Sequence, residues 1–114
     1  MTKRGKEMRE ELVLKHAVGG RTFIQTKNHM DYSVTNESGK WKIQIQLTPE
    51  VDIQEILAWK QELNLFIFQE FDDQPTKKSW FYLTDGSVQF DEQNQMLLLI
   101  AESRIDYIPS NYSV

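Results

Sequence analysis

The stretch "NLFIFQEFDD", residues 64–73, sets four apolar side chains in a row and then ends in acid. Whether it continues a helix or opens a strand decides the fold. The sixteen residues before it, "TPEVDIQEILAWKQEL" (48–63), carry helix signals. Thr48 can cap, Pro49 suits the first helical position, and Glu50 and Asp52 complement the positive end of the dipole. Ile53, Ile56, Leu57 and Leu63 follow helical spacing, with Lys60 as the polar break in the stripe and Trp59 beside it. If the helix ran on to Phe71, apolar residues would wrap every side of it beyond Leu63. A chain of 114 residues has no core able to surround such a helix. Asn64 tolerates the left-handed conformation that ends helices. A helix over about residues 49–63 and a strand over Leu65 to Phe71 are therefore expected.

Upstream, "WKIQIQL" (41–47) alternates Trp41, Ile43, Ile45 and Leu47 with Lys42, Gln44 and Gln46. Period-two alternation predicts a strand with one buried and one wet face. "MDYSVTN" places Met30, Tyr32 and Val34 on one face, and "ESGK" turns the chain between these two strands. Earlier still, "LVLKHAV" and "RTFIQTK" flank Gly19-Gly20, which suits a tight hairpin turn. A helix over residues 6–18 is the competing reading. Residues 1–10 are charged, with little apolar periodicity, and read as a loose tail or a short N-terminal helix.

Downstream, "DDQPTKK" reads as a loop and "SWFYLT-DG-SVQFD" (79–91) as a second hairpin turning at Asp85-Gly86. "EQNQ" turns the chain into "MLLLIA" (96–101), apolar on both faces and so a candidate interior strand. "RIDYIP" suggests a short edge strand, and 110–114 a loose tail. No repeat, low-complexity tract or linker divides the chain, so one domain over 1–114 is expected. The fold class expected is α+β: seven to eight strands, mainly antiparallel, with one central helix.

Composition narrows the function classes. At 39% hydrophobic and 26% charged, the chain has the balance of an ordinary globular protein. The longest apolar run, Met96 to Ala101, is far short of the roughly 20 residues that span a bilayer. "MTKRGKEMREE" has charges but no apolar region after them, so it does not read as a secretory signal. With no cysteine there is no disulfide framework and no thiolate site, which favours the cytoplasm. The net charge of −4 is unevenly spread. Residues 1–48 hold nine bases against five acids, and residues 49–114 four against twelve. Such a split steers charged partners if folding keeps the halves apart.

Motifs for chemistry are weak. His16 and His29 are the only histidines, and His29-x-Asp31 is the nearest approach to a metal or acid/base pair. Asp31 ahead of Gln44-Ile45-Gln46 resembles the divided nuclease pattern only in its first acid; two amides replace the Glu-x-Lys a divalent cation needs. No serine lies in a Gly-x-Ser-x-Gly elbow, and Gly19-Gly20 leads into Arg21 rather than a phosphate loop. No catalytic residue, cofactor or metal is expected.

The aromatic load of the second half is the most informative feature. On a strand Phe66 and Phe68 share a face opposite Leu65 and Ile67, and "WFYL" is aromatic on both faces. One helix cannot hide all of these, so either the strands close into a barrel that buries both sets, or one set meets a partner. The function expected is therefore a small accessory or inhibitor-type protein, of the kind phages and mobile elements encode. It would bind a protein partner, or a second copy of itself, through Phe66, Phe68, Trp80 and Tyr82, with an acidic rim of Asp72, Asp73, Asp85 and Asp91. The alternative is a nucleic-acid-binding module built on the basic half: Lys3, Arg4, Lys6 and Arg9, with Phe23, Tyr32 and Trp41 available to stack bases.

Overall fold

The alternation legible in "WKIQIQL" runs through most of the molecule. The computed structural model describes the backbone of residues 8–26 and 31–108, and the side chains of these except residues 8 and 84–87. Seven strands and one helix follow one another: β1 (Met8–His16), β2 (Thr22–Gln25), β3 (Tyr32–Glu37), β4 (Lys40–Gln46), α1 (Ile53–Ala58), β5 (Leu63–Phe71), β6 (Lys77–Asp91) and β7 (Met96–Tyr107). All seven strands form a single sheet in the order β2-β1-β5-β6-β7-β4-β3, and every neighbouring pair is antiparallel. The sheet is curled into a half-barrel, and α1 is the only helix among the described residues. Sheet dominates, so the expected α+β class describes the fold only loosely.

Pairing aligns the apolar positions on one face. Leu12 stands opposite Ile67, which stands opposite Ser79; Leu14 stands opposite Leu65, which stands opposite Phe81. Across the sheet, Val34, Ile43 and Leu99 share one row. This inner face carries the fully buried Leu12, Leu14, Ile43, Ile45, Leu65, Phe81, Leu97 and Leu99, and Ile56 of α1 packs into the same cluster. Each such side chain contributes about 1.5–3 kcal/mol when removed from water.

The opening stretch is strand, as expected, but the helix before it is shorter than 49–63. Asp52, not Thr48, is the cap: its carboxylate accepts the Glu55 N–H at 3.2 Å. Thr48 and Pro49 belong to a preceding turn, in which Val51 N–H reaches the Thr48 carbonyl at 3.1 Å. The helix ends at Ala58, with Trp59 at its C-terminus, because Leu63 and Leu65 are both drawn into β5 and the core.

The Asp85-Gly86 hairpin is also corrected. Residues 77–91 form one long strand, and both of its halves pair with β7. The register slips between Leu83 and Val88: five steps on β6 match two on β7, from Ala101 to Leu99. Asp85 and Gly86 therefore lie in a bulge that bends a strand, a use of Gly that alternates with hairpin turns in β proteins. β7 is long enough to hold both halves. "RIDYIP" is thus no separate edge strand, because Arg104 to Tyr107 continue β7 opposite Phe81 to Lys78. β7 itself is interior, as "MLLLIA" suggested, flanked by β6 and β4.

The first hairpin forms, with a longer loop than Gly19-Gly20 alone. His16 N–H bonds the Arg21 carbonyl at 2.7 Å, and Gly20, at φ 75°, returns its N–H to the His16 carbonyl. Residues Met8 to Glu10 are strand, paired with Phe71 to Gln69, and not tail or helix. Residues 1–7, Met30 and 110–114 lie outside the described residues. The β3–β4 hairpin turns at Ser38 (φ 54°) and Gly39 (φ 83°), the paired positive angles of a two-residue turn matched to strand twist.

Candidate functional site

The outer face of β5, β6 and β7 gathers the aromatic residues singled out from sequence. Phe66 is paired with Trp80, and Trp80 with Ile105; Phe68 is paired with Lys78, and Lys78 with Tyr107; Asn64 is paired with Tyr82. The rings form a continuous ladder. Phe66 and Phe68 centroids are 6.5 Å apart, Phe66 stacks on Trp80 at 6.0 Å, and Trp80 meets Tyr82 at 4.5 Å. These are ordinary ring-pair distances, worth about 0.5–1.5 kcal/mol each beyond burial. The Trp80 indole N–H reaches Asn64 Oδ1 at 3.3 Å, fixing the ring's tilt.

Two further features of this face escaped sequence reasoning. Ile105 is 43% exposed and Tyr82 42%, so they form the open end of the patch. Lys78 sits over the other end, with Nζ 4.2 Å from the Phe66 centroid, 5.3 Å from Phe68 and 5.7 Å from Tyr107. Reading "RIDYIP" (104–109) as a separate edge strand hid Ile105 and Tyr107. Carried on past Ala101 as one strand, β7 would have placed both beside Trp80 and Lys78.

The acidic residues are not gathered in the same way. Asp72 and Asp73 are exposed just past the end of β5, and Asp72 is held by Arg9 at 3.1 Å. Asp91 is at the far end of β6, where it caps the turn into β7 by accepting from Asn94 N–H at 3.2 Å and Asn94 Nδ2 at 2.8 Å. The Asn94 side-chain bond, then its backbone bond, hold the Asp91 carboxyl below its usual range. The side chain of Asp85 lies outside the described residues.

The inner face holds a polar network at one end of the core. Ser79, almost fully buried, donates to Asp106 Oδ1 at 2.6 Å; Arg104 Nε donates to the same oxygen at 2.7 Å; Arg104 Nη2 reaches Ser79 Oγ at 3.3 Å. The Arg104 guanidinium lies 4.8 Å from the Trp41 ring and 5.2 Å from the Phe81 ring. Burial pushes the Asp106 carboxyl up, but the Ser79 hydroxyl, Arg104 and Lys77 outweigh it and hold the group below its ordinary value. The three bonds close on one another between β6 and β7, so the network reads as structural.

The other residues weighed from sequence are placed as follows. Both ring nitrogens of His16 are occupied: Nε2 faces Glu62 Oε1 at 2.8 Å and Nδ1 accepts the Gly19 N–H at 3.2 Å. With its ring 4.7 Å from Trp59, His16 ties the first hairpin loop to the turn after α1. His29 lies outside the described residues; Asp31 lines a hollow of about 230 Å³ with Tyr32, Ser33, Gln44, Gln46 and Met96, and is the only carboxylate among its described lining residues. Among the described residues no three His, Asp or Glu side chains converge as a metal would need. No helix among them is long and apolar enough to cross a membrane. Of the bases that would bind nucleic acid, Lys3, Arg4 and Lys6 lie outside the described residues and Arg9 is paired with Asp72 and Glu70. Phe23, Tyr32 and Trp41 are half-buried and pack against the core.

No family model matches the chain, and no curated protein or solved structure is similar to it.

Proposed function

We propose that the protein is a small binding module, of accessory or inhibitor type, that docks another protein on the outer face of β5, β6 and β7. One observation carries this reading. Phe66, Phe68, Trp80 and Tyr82 form one ring ladder on the side of the sheet away from α1 and the core. Aromatic side chains that stay partly solvated on a small domain are the usual anchors of interfaces, and the charged residues around them guide encounter. The net charge of −4 favours a basic partner, with Asp72 and Asp73 beyond the Phe68 end of the ladder and Asp91 at the far end of β6. The absence of cysteine favours work in the cytoplasm.

Two measurements test the reading. Light scattering coupled to size exclusion, at low and at high salt, reports whether the face is already used: a dimer at both salts assigns it to self-association. For a monomer, capture from host lysate is compared between wild type and a folded Trp80→Ala variant. A partner enriched by wild type and lost with the variant supports the face. Equal capture by both proteins removes Trp80 and its neighbours from the site.

A further inference from the structure

The two outermost strands of the sheet differ in how they end it. β2 is four residues long, and its pairing with β1 carries an irregularity between Leu14 and Lys15. Short length and a kink are the usual protections of a sheet edge. β3 has neither. It is six residues long, pairs with β4 in unbroken register, and contains no Pro and no Lys.

The register shows where its backbone groups point. A two-residue turn at Ser38-Gly39 makes Glu37 and Lys40 a hydrogen-bonded pair, and such pairs recur at every second residue. Gln46 N–H bonding the Asp31 carbonyl at 2.8 Å lies in the same phase. Residues Ser33, Thr35 and Glu37 therefore use their N–H and C=O on β4. Tyr32, Val34 and Asn36 aim theirs away from β4; the Tyr32 hydroxyl reaches Glu10 of β1, but no backbone bond to these three residues is found among the described residues.

The side chains along this edge describe an occupant. On the outer row Asp31, Ser33, Thr35 and Glu37 are all exposed, with acid at each end and hydroxyls between. Neither acid has a cation paired to it among the described residues. A second copy pairing through its own β3 fits poorly: centred on Val34, it would set Glu37 against Asp31 of the other copy, and like charges directly opposite destabilise a ladder. We infer that β3 takes up an extended segment of a partner protein as an eighth, antiparallel strand, with basic side chains opposite Asp31 and Glu37 and small apolar residues facing Tyr32, Val34 and Asn36. This inference does not rest on the aromatic face, which lies on other strands.

The probe is the peptide Lys-Val-Thr-Val-Thr-Val-Lys, with Glu-Val-Thr-Val-Thr-Val-Glu as control, followed by residue-resolved amide exchange on the full chain. In the free protein the amides of Tyr32, Val34 and Asn36 should exchange fast, and those of Ser33, Thr35 and Glu37 slowly. Millimolar basic peptide should slow the first three, and the acidic control should not. Asn36→Pro removes an N–H that β4 does not use, so the variant should fold and bind the basic peptide roughly tenfold more weakly. Asp31→Lys with Glu37→Lys should reverse the preference toward the acidic peptide, while Trp80→Ala should bind the basic peptide as wild type does. Slow exchange at Tyr32, Val34 and Asn36 in the free monomer would overturn the inference, as would equal response to both peptides or no response to either. A dimer that Asn36→Pro converts to monomer would overturn the partner and assign the edge to self-pairing.

Discussion

Tyr32, on the last strand of the sheet, donates its hydroxyl to Glu10 on the second, and Gln69 Nε2 reaches the other oxygen of the same carboxylate at 2.8 Å. Strands so far apart in the order can meet only if the sheet curls, so this bond holds the half-barrel in its bent shape. Burial first, and then the Glu10 carboxylate, push the Tyr32 phenol well above its ordinary value of 10.0.

The sign of the pH dependence follows from that direction. Since the folded state raises the phenol's pKa, its contribution is complete below the ordinary value and is lost as pH rises through the raised one. Tyr32→Phe is expected to cost about 1–2 kcal/mol at neutral pH. The difference between wild type and variant should shrink above about pH 10. Urea unfolding of both proteins across the alkaline range measures this.

Asp106 behaves in the opposite sense. Its folded pKa is depressed, so its contribution is present above the ordinary value of 3.8 and lost as pH falls through the lowered one. Asp106→Asn should destabilise the protein by about 1 kcal/mol near neutrality, the partial exposure of the group keeping the figure small. The gap should close in acid, as unfolding curves from about pH 7 down to pH 3 would reveal.

Trp80 and Phe81 are neighbours in sequence on opposite faces of β6. Phe81 is fully buried, and Phe81→Ala should cost about 3–5 kcal/mol. Trp80 is only partly buried, so Trp80→Ala should cost well under half as much and leave a folded protein for the binding test. Comparable losses, measured by thermal or urea unfolding, would mean that the outer face is as tightly packed as the inner one.

Thr48 and Asp52 distinguish the two starts the helix could have had. Asp52→Ala removes the cap that is used and should cost about 1 kcal/mol. Thr48 Oγ1 is buried without a hydrogen-bond partner, so Thr48→Val should be neutral or mildly stabilising. A loss on Thr48→Val as large as that on Asp52→Ala would restore Thr48 as the cap.

What could be read from the residues follows the range over which the physics acts. "WKIQIQL" was legible because alternation is local, and "NLFIFQEF" because a helix apolar on every side has no place in a chain this small. Thr48-Pro49 reads as the start and Asp52 only as a complement to the dipole, yet Asp52-Ile53-Gln54-Glu55 has the spacing of a capping box, and the choice is made by where Leu63 and Leu65 must go. Asp85-Gly86 failed for a similar reason: a bulge and a turn use the same residues, and the length of the partner strand separates them. That Phe66 and Phe68, and Trp80 and Tyr82, share faces was legible because each pair sits two positions apart on a strand. The separation of Asp72 and Asp91 to opposite ends of the sheet was not legible, since strand order is invisible to a local pattern.

Strand order also has a consequence for how the chain acquires its shape. β6 and β7 are joined by a four-residue turn, Glu92 to Gln95, and can zip together locally. β1, by contrast, waits for β5, and Glu10 and Gln69 are 59 positions apart. Closing so long a loop is slow beside closing a hairpin. On a ribosome the first hairpin emerges with its core edge unmated, and Leu12 and Leu14 stay open to water until much of the chain has followed. Pulse-labelled exchange during refolding should accordingly find β6 and β7 protected early and β1 late.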